Sequence, residues 1–173
     1  MTFMDFNVQR VCPSCGKIIK LEHNFCKFCG VDLSEVEAMG RTNDPISINL
    51  ANTAVTDPDP EVRKEALDTL GDFKDTKILG VLTLVLLNDP DENVRCEAAD
   101  ELGDLHHPYS LSALSIALND KSAIVRKEAI EGLKKIKEKN KEKKVEKQAK
   151  DDKERAEEKN KEKKDKEKHH EEK

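Results

Sequence analysis

The sequence predicts a mainly α fold: a solenoid of three stacked helix pairs, behind a small cysteine-rich module and ahead of a charged tail. Three observations carry this. First, Val-Arg recurs at Val62-Arg63, Val94-Arg95 and Val125-Arg126, at spacings of 32 and 31 residues. Each copy opens the same apolar pattern: Val62/Ala66/Leu67/Leu70, Val94/Ala98/Ala99/Leu102 and Val125/Ala129/Ile130/Leu133. That pattern is one face of a helix, and a fixed period near 30 residues marks a stacked repeat. Second, charged residues make up 39% of the chain and aromatic residues 3%, so any core must be small and aliphatic. Third, four of the five cysteines fall in two Cys-x-x-Cys-Gly pairs, Cys12/Cys15 and Cys26/Cys29, ten residues apart.

The cysteine module spans 1–33. Two residues between cysteines let both thiolates of a pair face one ion from a tight turn. The following glycines, Gly16 and Gly30, can take a positive φ that points backbone N–H groups at the sulfurs. Four thiolates and no histidine predict a closed tetrahedral site, structural rather than catalytic. A module this short needs its metal to fold. Phe25 and Phe28 are expected to pack around the cluster. A redox reading of Cys12/Cys15 would need a βαβ context that this segment lacks.

Residues 34–44 read as a loose linker, with Gly40, Asn43 and Asp44 ahead of Pro45. The repeats follow over 45–137. First helices are predicted at about 45–56, 76–88 and 108–119, with Pro45 and Pro108 suited to a first turn. Asp57, Asp89 and Asp120 end them. Asp59, Asp91 and Ser122 then cap the second helices, because a short side-chain oxygen can accept an early backbone N–H. Gly71 and Gly103 are expected to stop the first two second helices. Lys134 stands at the third such position, so the last helix should run on past Ile136.

The tail, 138–173, has Val145, Ala149 and Ala156 as its apolar side chains and carries 15 basic against 13 acidic residues. It cannot build a core. Glu146/Lys150, Glu157/Lys161 and Glu162/Lys166 favour a fluctuating, partly helical extension. The rest of the chain holds 16 basic and 23 acidic residues, which argues against a duplex-binding face. No stretch reaches the roughly 18 apolar residues of a membrane span. The N-terminus lacks a secretory signal, so a soluble, cytoplasmic protein is expected.

The cysteine module resembles a short zinc ribbon, with a CPxCG opening and an FCxxCG close. Rubredoxin-type iron sites share the knuckle but use a longer spacer and an aromatic core, which favours zinc. The pattern Asp-x-x-x-x-Val-Arg-x-x-Ala with its Leu-Gly close resembles HEAT repeats of the phycobilisome-lyase (E-Z) type, over about 45–137. The resemblance implies that the second helices line the concave face. It also implies that Arg63, Arg95 and Arg126 form structural ladders with Asp57, Asp89 and Asp120, within or across units.

Positions three and six after each repeated Val are all acidic: Glu65/Asp68, Glu97/Asp100 and Glu128/Glu131, with Glu101 beside them. Stacked units would line these up as an acidic stripe, either a solvated face or a dock for a basic protein segment. Cys96 aligns with Lys64 and Lys127 and is expected to face solvent as an inert thiol. The HEAT-type deoxyhypusine hydroxylases bind iron through His-Glu pairs, which this solenoid lacks. His106 and His107 read as turn residues, and His169-His170-Glu171 lies in the tail. No phosphate loop, nucleophile motif or dinucleotide fingerprint is present.

The expected function is therefore a non-catalytic adaptor with a structural zinc ribbon. Two alternatives stay open. One is nucleic-acid work through the ribbon, with Arg10, Lys17, Lys20 and Lys27, and the tail lysines. The other is an accessory subunit of a lyase or protein-modifying enzyme.

Overall fold

The computed structural model describes residues 4–41 and 44–171, with side chains for all of these except 151, 154 and 156–171. The chain divides into two units, Met1–Ile136 and Lys137–Lys173.

The first unit holds the cysteine module and three helix pairs. Two short strands, β1 (Gln9–Val11) and β2 (Ile18–Lys20), form an antiparallel hairpin with Arg10 opposite Ile19. The pairs are α1 (Pro45–Thr56) with α2 (Pro60–Asp72), α3 (Leu79–Asn88) with α4 (Glu92–Asp104), and α5 (Ser110–Ala117) with the start of α6 (Ala123–Glu171). Within this order α2 packs on α4 and α3 on α5, so like helices stack on like. The result is a HEAT-like α-solenoid.

Local chemistry explains the starts. Asp44 accepts from the backbone N–H groups of Ile46 and Ser47, and Pro45 fills the first turn of α1. Asp59 and Asp91 cap α2 and α4 in the same way. The predicted helix at 76–88 is split: a 3₁₀ turn at Thr76–Ile78, capped by Asp75, leads into α3. Pro108 lies just ahead of α5 rather than inside it.

The helix ends depart from expectation. Gly71 and Gly103 are helical and buried, and the helices run on to Asp72 and Asp104. The left-handed positions belong to Lys74 and His106, each at φ 50°. The glycines instead permit close helix approach. A Cβ on Gly71 would meet Glu101 Oε2, and one on Gly103 would come within 2.7 Å of Gly132 Cα.

The core runs without a break from the helices into the cysteine module. Met4, Phe6, Val11 and Met39 share one buried cluster with Leu67, Leu82, Leu102 and Ile136. The reason is α3, whose residues Leu79–Leu86 are all buried. A helix that is apolar all round must be covered all round, and the β-hairpin covers the side that the solenoid leaves open. Gly80 lets the Val11 carbonyl approach, and Thr83 Oγ1 donates to the Pro13 carbonyl at 2.9 Å. The module is thus seated on the solenoid and shares its core.

Nor is the described part of 34–44 loose. Val36, Ala38 and Met39 are buried. Arg10, itself buried, donates to the Val36 carbonyl at 2.6 Å, and Lys77 pairs with Glu37 at 3.1 Å. Asn43 lies outside the described residues.

The second unit continues α6. Lys139 pairs with Glu142 at 3.2 Å and Gln148 bonds Asp152 at 2.9 Å. Glu146 and Lys150 do not pair with each other, and neither has an ion pair among the described residues, contrary to the periodic expectation. The side chains of Glu157/Lys161, Glu162/Lys166 and His169-His170-Glu171 lie outside the described set.

Candidate functional site: a four-cysteine centre and a second-helix cleft

Both cysteine knuckles are built alike. Cys12 N–H donates to the Lys17 carbonyl and Gly16 N–H to the Cys12 carbonyl, at 2.9 Å each. In the second, Cys26 N–H reaches Val31 and Gly30 N–H reaches Cys26, at 3.0 and 2.8 Å. Gly16 at φ 67° and Gly30 at φ 76° make the left-handed turn each knuckle needs. The four Sγ atoms then converge, with Cys12–Cys29 and Cys15–Cys26 each at 3.7 Å. A tetrahedron with zinc–sulfur bonds of about 2.3 Å has edges of about 3.8 Å, so the donor set fits that ion.

The thiols shift unequally, with Cys12 and Cys15 raised while Cys26 falls. Burial pushes the Cys12 thiol well up, against the pull of the Ser14 and Cys15 backbone N–H groups. At Cys26 burial also acts upward, but the Cys29 and Phe28 backbone N–H groups outweigh it and bring the thiol to about 7. Such N–H donors suit thiolate ligands. Phe25 and Phe28 do not enclose the cluster; they are 61% and 56% exposed, and Lys27 lies over the Phe28 ring. Cys12 and Cys26 are already covered by Ile19, Leu33 and Val31, while Cys29 stays exposed.

The arginine ladder runs between units. Arg63 makes a two-pronged contact to Asp89 at 2.8 Å, and its Nη1 donates to the Asp57 carbonyl. Arg95 repeats this one unit on, with Asp120 and the Asp89 carbonyl. Arg126 donates to the Asp120 and Lys121 carbonyls and has no carboxylate partner among the described residues. These arginines tie turns together, and Arg63 and Arg95 are buried.

The predicted acidic row does reach the surface carried by the second helices, but unevenly. Glu65, Asp68 and Glu131 are exposed, while Glu97, Asp100 and Glu128 are half-buried. Glu97, Asp100 and Glu128 line one open cleft of about 410 Å³, together with Glu61, Lys64, Asn93 and Cys96. Lys64 lies 3.6 Å from Glu97, and Lys135 clamps Asp100 and Asp104 at 2.5 and 2.6 Å. Glu65, Asp68 and Glu128 make no ion pair among the described residues. Desolvation raises the Glu97 and Glu128 carboxyls above the usual range, with neighbouring carboxylates adding to the effect.

Two expectations fail here. Glu101 is not part of the exposed row; it is 8% exposed, wedged between α4 and Gly71 of α2. Its Oε2 has no hydrogen-bond partner, and burial pushes the carboxyl up to about 7. Its carboxylate lies within 4.8 Å of those of Asp68 and Glu97. Cys96 is not solvent-facing but half-buried against the core, in the cleft floor. Burial, then Glu128, Glu97 and Asp100, push its thiol up, which disfavours a reactive thiolate. Glu61, Asn93 and Lys135 went unnoticed in the sequence. The repeat alignment could have flagged Glu61, since it directly precedes the first repeated Val.

Compared with known proteins, residues 79–158 match a family model described as HEAT repeats. The match begins at α3 and passes beyond the third helix pair. A search of curated proteins finds no match. No helix among the described residues is long and apolar enough to cross a membrane.

Proposed function

We propose that this solenoid is a non-catalytic adaptor that holds a basic segment of another protein in its second-helix cleft. The supporting observation is the cleft's charge balance. Glu61, Glu97, Asp100 and Glu128 line it, against Lys64 as the one lysine among its lining residues. Glu97 and Glu128 are partly desolvated carboxyls, and a guanidinium or ammonium group brought beside them would offset that desolvation. HEAT repeats are a protein-interaction architecture, which agrees.

The test is capture from the native cell with nuclease present, followed by titration of a fluorescent Lys/Arg-rich peptide taken from the captured protein. Glu97→Lys with Glu128→Lys should weaken binding about a hundredfold. Undiminished binding by the double variant overturns the reading. Capture that vanishes with nuclease favours the nucleic-acid alternative, for which Arg10 is already spent on backbone carbonyls inside the module.

We also propose that Cys12, Cys15, Cys26 and Cys29 hold one structural Zn²⁺. The ion would join the two knuckles, and so hold the β-hairpin in shape over α3. Elemental analysis should find one zinc per chain, lost in Cys26→Ser. A well-folded wild type without stoichiometric metal would refute this.

A further inference from the structure

The two internal junctions define what each face of a unit offers its neighbour. Toward the following unit, a second helix presents the arginine and the apolar residue four positions on. These are Arg63 with Leu67 and Arg95 with Ala99; both apolar residues are 0% exposed. Toward the preceding unit it presents the repeated valine. Val94 and Val125 are 0% exposed. Each unit also offers the aspartate of its inter-helix turn to the arginine before it.

At the two ends these features stand unused. Val62 is 42% exposed and Ile130, the counterpart of Leu67 and Ala99, is 55% exposed. Ile46 is 62% exposed where Ile78 is 1%. End units of a solenoid ordinarily carry a polar cap; here Ile46, Val62 and Ile130 interrupt it.

The ladder is unfinished at both ends, with complementary halves. Arg126 donates from Nη1 to the carbonyls six and five residues back, Asp120 and Lys121. Arg63 and Arg95 are set in the same way, on Asp57/Pro58 and Asp89/Pro90. Arg126 is therefore already oriented to grip a carboxylate. Asp57 Oδ1 accepts from Asp59 N–H, as Asp89 does from Asp91 and Asp120 from Ser122. Asp57 is thus already shaped to be gripped, and among the described residues it has no ion pair.

We propose that the C-terminal end of one solenoid docks on the N-terminal end of a second copy of this chain. Arg126 then grips the second copy's Asp57, and Ile130 covers its Val62. The occupant is a second copy because both halves of the contact, in matching register, belong to this chain. Lys134 stands where the internal junctions have Gly71 and Gly103, so the outer contact is looser and the association reversible. A head-to-tail contact of this kind does not close at two copies.

Sedimentation velocity of the full-length chain, from about 1 μM to about 1 mM, tests this. The mean mass should rise with concentration and pass that of a dimer. Arg126→Asp and Asp57→Arg should each weaken association at least about tenfold, and an equimolar mixture should restore it, because each altered end then meets its complement. Circular dichroism checks that the variants fold. If Asp57→Arg does not fold, Arg126→Asp and the exposed-site variant Ile130→Lys decide alone, and both should associate at least about tenfold more weakly than wild type. A wild type monomeric throughout overturns the proposal. So does a mass that halts at dimer, or association unmoved by Arg126→Asp.

Discussion

The junction between the first two helix pairs and the junction between the last two share one plan, and one pair of positions sets them apart most sharply. At the second, Gly103 meets Gly132, and α4 and α6 close backbone to backbone. At the first, Gly71 meets Glu101, a buried carboxyl with an unpartnered oxygen. The sites correspond, since Glu101 lies 31 residues before Gly132. A repeat can therefore keep its ladder and its apolar face while one junction stores an unfavourable charge. The ladder differs too. Asp89 is 0% exposed and Asp120 13%, so the first junction depends more heavily on its ion pair.

Breaking the ladders should have the largest effect. Arg63→Ala leaves the Asp89 carboxylate buried without its cation, held only by the Asp91 N–H, and should cost about 3–5 kcal/mol in urea unfolding. Arg95→Ala should cost less, about 2–3 kcal/mol, because water reaches Asp120. Equal losses would mean that the difference in burial does not matter.

Glycine replacements probe the packing directly. Gly103→Ala sets a Cβ against the Gly132 backbone, which cannot yield locally, and should cost about 2–3 kcal/mol. Gly71→Ala meets the far end of a flexible side chain, and it gains helix propensity. It should lie within about 1 kcal/mol of wild type. A larger loss from Gly71→Ala would show that Glu101 cannot swing aside.

Glu101→Gln should stabilise by about 2–3 kcal/mol at pH 8 and by nothing measurable below about pH 4. The folded chain keeps this proton up to about pH 7, whereas the unfolded chain releases it near 4.5. Between those values the folded state binds more protons, so this group's contribution to stability falls as pH rises. Wild-type and variant melting curves across that range check the slope. The smallest effect belongs to Lys135→Met, which releases Asp100 and Asp104 at the second junction. With Lys135 37% exposed, about 0.5–1 kcal/mol is expected.

Much of this architecture is legible in the chain, for physical reasons that also mark the limits. The period shows because Val94, Ala98 and Leu102 must each find the same socket in every unit. The cysteine spacing shows because four sulfurs converge through two identical knuckles. Glu101 was misread because helical angle alone does not say which neighbour lies alongside; that depends on Gly71, which sits 30 residues away. Cys96 was misplaced for the same reason. The glycines looked like helix stops because composition does not separate a stop from a close approach. The seat of the β-hairpin did leave a trace. Ile78–Leu87 is more apolar than a helix with one wet side should be.

That seat has a consequence for biogenesis. The cysteine loops and β-hairpin precede α3 in the chain, so they emerge from the ribosome with Phe6, Val11 and Met39 still wet. Their apolar underside is a socket without its plug until α3 follows. Nascent chains halted with Leu79–Asn88 still inside the ribosome should therefore recruit chaperones that chains halted once this helix has emerged release, a difference that crosslinking of stalled ribosomes would register.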